Sequence, residues 1–248
     1  MDKLSFLGLV IGFAALIVGQ MLEGAVLGSL FQFTALIIVL GGTLGAVVLQ
    51  SASEVFVRGF QMAKWVFFGY NLDFHYAKME IMRWCQLARR DGLLALDGFS
   101  TRHPDVFVQE GLQMLVNAAP PDAIRNVLEN RLEQNELEMH RAARIWESAG
   151  SYSPTFGILG AVIGLIHVME NLTDPSKLGA GIAVAFVATV YGVGLANLVY
   201  LPIYGKLCFY IDRITALREM YLEAFIGIAE GQHPLLIEAR IKGFIPHA

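Results

Sequence analysis

The segments SPTFGILGAVIGLIHVMEN (153–171) and LGAGIAVAFVATVYGVGLANLVYLPIY (178–204), joined by the short polar link 172–177, decide the fold of this chain. Apart from Glu170 at a segment end, they contain no Asp, Glu, Lys or Arg. Each is long enough to cross about 30 Å of hydrocarbon as a helix. Glycines at 157, 160, 164, 179, 181, 192 and 194 interrupt them, and each carries a proline near one end, Pro154 and Pro202. Small residues three to four apart let helix backbones approach closely in lipid, where packing drives association. Gly157, Gly160, Ala161 and Gly164 form such a face on the first segment, and Ala185, Ala188, Gly192 and Ala196 form one on the second. Proline removes an intrahelical hydrogen bond, which hydrocarbon makes costly, so it is tolerated where neighbouring groups or water re-satisfy the backbone. Two prolines near one membrane face predict a hinge level there.

Working outward, further apolar runs cover 4–22 and 25–50, and four spans are the simplest count. A chain of 248 residues with 55% apolar and 16% charged residues and a mean hydropathy of +0.54 reads as an integral membrane protein. The first run follows Lys3 like a signal peptide, but its length and the lack of a small-x-small cleavage site before Glu23 identify a retained span. Orientation follows from the cations, because short loops rich in Lys and Arg stay inside. Of 18 such residues, 11 lie in 54–150 and five follow Tyr204, which leaves Lys3 at the start and Lys177 in the second outer loop. Both termini and the large middle segment are therefore expected in the cytoplasm. Cys85 and Cys208 then face a reducing compartment or its border, where a structural thiol is the default.

The first hairpin carries no catalytic signal and reads as lipid-facing helices. Beyond Glu54, Arg58 and Lys64 precede Trp65, Phe67, Phe68 and Tyr70, a mixture suited to a helix passing through the headgroup region. An amphipathic helix is predicted over 76–90, with Ile81, Met82, Cys85 and Leu87 on its apolar side and a break at Gly92. A short helix is expected over 105–117. The longest soluble helix starts at Pro121, which suits a first turn, and runs to about Gly150, almost directly into the span holding Pro154. From Gly205 the chain is expected to continue as a charged amphipathic helix that breaks near Gly231 and Pro234.

No nucleotide-binding glycine loop, metal-ligand cluster or nucleophile arrangement occurs in the sequence, so an enzyme, a cofactor and a nucleic-acid partner have little to stand on. His167 sits near the outer end of its span beside Glu170, where it is either a functional ionisable group or an interfacial one. No carboxylate lies near the membrane midplane. If protons or cations move along these helices, the titrating group comes from another chain. Thr189 is the polar side chain at midplane depth, and its hydroxyl either bonds back to its own helix or lines a wet pathway. Arg89, Arg90, Asp91 and Asp97 flank apolar Leu93, Leu94 and Leu96, forming either a solvated surface or a charged surface that orients a docked protein.

The run SYSPTFGILGAVIGLI (151–166), then AVAFVATVYGVGLANLVYLPI (183–203), together with ARRDGLLALD (88–97), resembles the MotA family, the A subunits of the bacterial flagellar stator. The resemblance spans essentially the whole chain. It implies an all-α integral membrane protein in four parts: a transmembrane hairpin (1–53), a cytoplasmic helical domain (54–150), a pore-lining transmembrane hairpin (151–204) and a cytoplasmic C-terminal helix and tail (205–248). It further implies a homopentamer in the inner membrane, around the single transmembrane helices of two peptidoglycan-binding, MotB-like B subunits. The B helix carries the Asp that accepts the ion, and the ring drives a FliG-like rotor protein. By motif position, Arg89 or Arg90 and Asp97 would face the rotor, and Pro154 and Pro202 would couple ion transfer to conformation. Asp97 stands where many members have Glu, which keeps the sign and shortens the reach. Sodium-driven relatives carry Thr at the position of Ala161 and another beside the Thr matching Thr189, where this chain has Ala188. A dehydrated hard cation needs several oxygen ligands. The resemblance therefore implies protons as the coupling ion. Two other readings remain open at this stage: an energising subunit of a TonB- or Tol-type system, and a passive membrane scaffold.

Overall fold

The computed structural model describes residues 3–22, 24, 28, 31–70, 72–172 and 175–245, with backbone alone at 3, 4, 175–177 and 180. Glu23 and the Lys177 side chain, on which the charge reading of the two outer loops rests, lie outside the described residues. Every regular element among the described residues is helical. The α-helices are α1 (Lys3–Leu22), α2 (Phe33–Gln50), α3 (Ser53–Met62), α4 (Lys64–Phe68), α5 (Phe74–Asp91), α6 (Asp97–Ser100), α7 (Val106–Val116), α8 (Pro121–Glu170), α9 (Pro175–Leu195), α10 (Leu201–Ala229) and α11 (Pro234–Ile241). Four of these are long and apolar enough to cross a membrane: α1, α2, α8, and the run Gly181–Ala229 that contains most of α9 and all of α10.

Local chemistry sets the boundaries. Asp73 caps α5, its Oδ1 accepting the Tyr76 N–H at 2.9 Å, and Asp105 caps α7 by accepting from Phe107 N at 2.9 Å. Gly92 at φ 84° ends α5 in a conformation that costs other residues a Cβ clash, as the sequence predicts. One boundary departs from the sequence reading. The helix expected to end near Gly150 continues without a break through Pro154, giving the 50-residue α8. Position i−4 from the proline is Gly150, whose missing side chain leaves room for the Leu201 side chain. The fourth span continues past Gly205 as expected, with one feature the sequence does not announce: α9 passes into α10 through a π-helical turn, Ala196–Tyr200. A π turn moves the donor that each carbonyl meets from i+4 to i+5, which suits a helix about to meet Pro202, a residue without an N–H.

The chain divides into two compact units. The first, Met1–Gly69 with His140–Cys208, contains the apolar hairpins. Here α2 buries Ala35 and Val39 against Val187 and Ala188 of α9. Farther along, Gly59 of α3 lies against the Ala142 carbonyl and Ile145 of α8, and the indole of Trp146 donates to Gly59 O at 3.0 Å. Large apolar side chains face outward along all four spans, among them Phe6, Ile37, Leu165 and Phe186. That distribution is inverted relative to a water-soluble fold and matches helices bounded by lipid or by other spans.

The second unit, Tyr70–Met139 with Phe209–Ala248, has a conventional core. Trp84 on α5 is its centre. It is 1% exposed, stacks with Phe225 (centroids 6.2 Å), lies tilted against Tyr221 (5.8 Å), and meets Phe99 edge-on at 6.5 Å. Around this group pack Ile81, Leu96, Leu112, Leu115, Ile124 and Leu128. Gly111 on α7 gives the Phe225 ring its space.

Candidate functional site

Two sites follow from the sequence, one in each unit. In the first unit, the glycine faces of α8 and α9 lie against each other, backbone to backbone. A Cβ on Gly157 would lie 2.9 Å from the Ala188 carbonyl oxygen, and one on Gly164 would lie 2.9 Å from both Ala185 N and Gly181 O. One on Gly192 would lie 2.6 Å from the Ser153 carbonyl. By contrast, among the described residues a Cβ on Gly179 or Gly194 would meet no atom of another helix within 4 Å. The seam therefore uses four of the seven glycines directly (157, 164, 181 and 192), and Gly160 joins it through the Ala188 methyl. Close contact of this kind holds two spans in one register without any hydrophobic driving force.

Pro154 and Pro202 sit at this seam's end, since Ser153 adjoins Gly192 and Gly150 adjoins Leu201. Pro154 is half-buried and Pro202 exposed. Ala161 is half-buried on α8. Thr189 is half-buried on α9, and its hydroxyl donates to its own-helix Ala185 carbonyl at a long 3.4 Å. Of the two fates open to Thr189, the described structure contains the local bond. His167 is exposed in the last turn of α8, and its carbonyl accepts from the Asn171 amide at 2.8 Å. Two residues that motif reasoning passed over also belong here. Thr43 and Ser153 are fully buried, and neither hydroxyl has a hydrogen-bond partner among the described residues. Thr43 is visible in the sequence only as one of a few polar residues on α2, with nothing local to mark it as buried.

In the second unit, Arg89 and Arg90 occupy the last turn of α5, a 3₁₀ turn (Leu93–Leu96) follows Gly92, and Asp97 opens α6. All three charged residues are exposed, on one short stretch of chain that Leu96 and Phe99 pin to the core. They are not equivalent. Arg90 forms a two-pronged pair with Asp91, at 2.9 and 2.7 Å. That hydrogen bond holds the Asp91 carboxyl below its usual range and pushes the Arg90 guanidinium up. Among the described residues, the side chains of Arg89 and Asp97 have no such partner. Arg89 borders a cavity of about 260 Å³ with Leu93 and Gln232. Between Arg89 and the core, Cys85 is buried, and burial pushes its thiol up to about 12. That environment keeps the thiol protonated and unreactive. Among the described residues, no group of three or more His, Cys, Asp or Glu is placed to hold a metal ion.

Comparison with known proteins gives one answer. Residues 100–220 match the MotA/TolQ/ExbB proton channel family. The chain is 34% identical to motility protein A of Bacillus subtilis over 99% of its own length and 92% of the relative's. It is 28% identical to the chemotaxis protein PomA of Vibrio alginolyticus, covering 99% and 96% of the two chains. Its fold superposes on a chain of the C. jejuni MotAB structure with a TM-score of 0.93 at 30% identity, over 100% of this chain and 97% of that one. A second superposition, on the flagellar MotAB stator complex of Bacillus subtilis, gives 0.88 at 34% identity, over 99% and 96%. With a four-span helical fold, a glycine seam between its last two spans and these full-length relatives, the chain belongs to the MotA/TolQ/ExbB proton channel family, on its motility protein A side.

Proposed function

We propose that this chain is a flagellar stator subunit that converts ion flow across the bacterial inner membrane into torque, with both termini and residues 54–150 and 205–248 in the cytoplasm. The observation that carries this reading is the seam itself: two spans locked glycine to carbonyl, ending in two prolines, with Glu170 at one edge as their one carboxylate. A wall of this kind lacks an acid to accept the ion. The related structures are MotAB complexes, which supports a single-span, peptidoglycan-anchored B partner as the source of that acid. A homopentamer around two B helices, turning as ions pass, accounts for the outward apolar faces of all four spans. Pro154 and Pro202 act as the coupling level, with Ala161 and Thr189 beside the pathway. This is transport and not enzymatic chemistry, and it uses no cofactor beyond the ion.

Protons are the coupling ion, because methyl groups at Ala161 and Ala188 stand where a sodium pathway needs oxygen ligands. Exchanging sodium for potassium at constant proton-motive force is expected to leave swimming speed unchanged. A sodium requirement contradicts the assignment.

Rotor contact falls to Arg89 and Asp97. Exposed charges set the encounter and register of a docked partner. Arg90 presents a guanidinium already engaged by Asp91. Arg89→Glu and Asp97→Arg are expected to abolish swimming while the protein still assembles in the membrane, whereas Arg90→Ala retains most of it. Soft-agar swarming, with membrane fractions blotted as the assembly control, checks this. Equal loss from all three rejects the distinction.

A further inference from the structure

α3 and α4 follow the span α2 directly: Gln50 ends α2 and Ser53 opens α3. At 10 and 5 residues, neither is long enough to cross hydrocarbon. One side of α3 is fixed to α8, where Gly59 lies against the Ala142 carbonyl and the Trp146 indole donates to Gly59 O at 3.0 Å. Aromatic rings extend that contact, with centroids 4.9 Å apart for Phe56 and Phe60 and 5.0 Å apart for Phe60 and Trp146. α4 packs against α1 and buries Val66. Two short helices are thus held at the end of one span, against a second span and against the helix that becomes the third.

The side that the described helices leave open is apolar and basic. Val57 is 52% exposed, Phe60 43% and Phe68 71%, outside the edge on which Gly59 and Met62 are buried. Lys64 is exposed one turn before Phe68, and Arg141 and Arg144 are exposed on α8, flanking the buried Ala142 and Ala143 to which α3 is fixed. Over 51–69 and 140–150, both in the first unit, four cations (Arg58, Lys64, Arg141 and Arg144) outnumber two carboxylates, Glu54 and Glu147. The outward apolar faces of α1 and α2 continue into this surface. Large exposed rings in a row need an apolar neighbour. At the level where spans end, acyl chains supply one and phosphates meet the cations, whose long stems reach from apolar surface to the headgroups.

We propose that α3 and α4 form a seat for anionic phospholipid: Val57, Phe60 and Phe68 enter the acyl boundary, and Lys64 with Arg141 and Arg144 binds the headgroup phosphates. The choice of the inner leaflet rests on the orientation in the proposed function, but the lipid contact does not. Nor does it depend on a rotor partner.

Trp65, half-buried on α4 between Lys64 and Phe68, reports on this surface, while Trp84 and Trp146 are buried. The test is quenching of tryptophan fluorescence in the full-length assembly as purified from membranes, reconstituted in phosphatidylcholine vesicles. These carry a minor fraction of brominated-chain lipid whose headgroup is either phosphatidylglycerol or phosphatidylcholine. Quenching is expected to be about fivefold more effective for the anionic lipid, the local enrichment that one interfacial cation produces. Trp65→Phe removes the quenched signal. The double variant Lys64→Gln with Arg144→Gln brings the two lipids close to equality, and so does high salt. Phe68→Ser lowers quenching by both lipids together. Quenching no greater than in Trp65→Phe means that protein, such as a second copy of this chain, covers the surface, and it overturns the proposal. Equal quenching by both lipids, a preference that survives charge removal and salt, or indifference to Phe68→Ser overturns it as well. Because swimming is not the readout, a failed rotor assignment leaves this result intact, and a failed lipid seat leaves the rotor assignment intact.

Discussion

Gly192→Val is expected to abolish assembly of the transmembrane unit. The first added carbon would lie 2.6 Å from the Ser153 carbonyl oxygen, 3.0 Å from Gly157 Cα and 3.2 Å from Gly157 N, all backbone atoms that no rotamer change can move aside. Overpacking a flexible core costs roughly 1–3 kcal/mol, and a rigid backbone neighbour places this change at or above the upper end. Separating the helices enough to relieve the clash would also break the neighbouring contacts of Gly157 with Ala188 and of Gly164 with Ala185. Gly194→Ala, two residues away with nothing within 4 Å, is the matched control and should be tolerated. Size-exclusion profiles and membrane yield distinguish the two. Equal behaviour of both variants would mean that the seam does not hold the spans together.

The second large effect is expected in the unit formed by Tyr70–Met139 and Phe209–Ala248. Trp84→Ala removes the ring shared by Phe99, His103, Tyr221 and Phe225, at a position only 1% exposed. Truncating a buried Trp costs about 3–5 kcal/mol. Whole domains are stable by only about 5–15 kcal/mol, so this one substitution consumes much of the margin. Limited proteolysis should cut the segments around residues 92 and 103 at protease levels that spare the wild type. Met79→Ala, on the same helix and 64% exposed, should leave the digestion pattern unchanged. Resistance in both variants would remove Trp84 from the centre of the core.

Which of these features can be read from the chain alone depends on the range of the interaction. The spans are legible because each is a continuous apolar run, and the seam because Gly157, Gly160 and Gly164 recur at helical spacing opposite Ala185, Ala188 and Gly192. Gly92 announces its own helix end through its backbone freedom. Local rules misplace the region around Pro154, where they favour two helices and the structure contains one. Whether a proline interrupts a helix is decided by the groups around the freed carbonyl, and those come from another part of the chain. The same holds for the π turn before Pro202. Trp84 is not legible as the centre of a core, because its partners Tyr221 and Phe225 are remote in sequence and an aromatic residue on an amphipathic helix looks alike at the centre of a core and at its edge. In the charged segment, spacing offers Arg89 and Arg90 equally. The pairing of Arg90 with Asp91 separates them, and that is a matter of side-chain geometry.

In the proposed function, the paired segments 153–171 and 178–204 form a wall that carries no proton acceptor of its own. Its most direct test is proton flux into liposomes that contain this chain as the sole protein, with a pH-sensitive dye inside and a potassium diffusion potential as the driving force. A protonophore added at the end confirms that the vesicles are sealed. The predicted result is a rate indistinguishable from that of empty vesicles until the protonophore is added. A sustained inward proton current carried by this chain alone would contradict it.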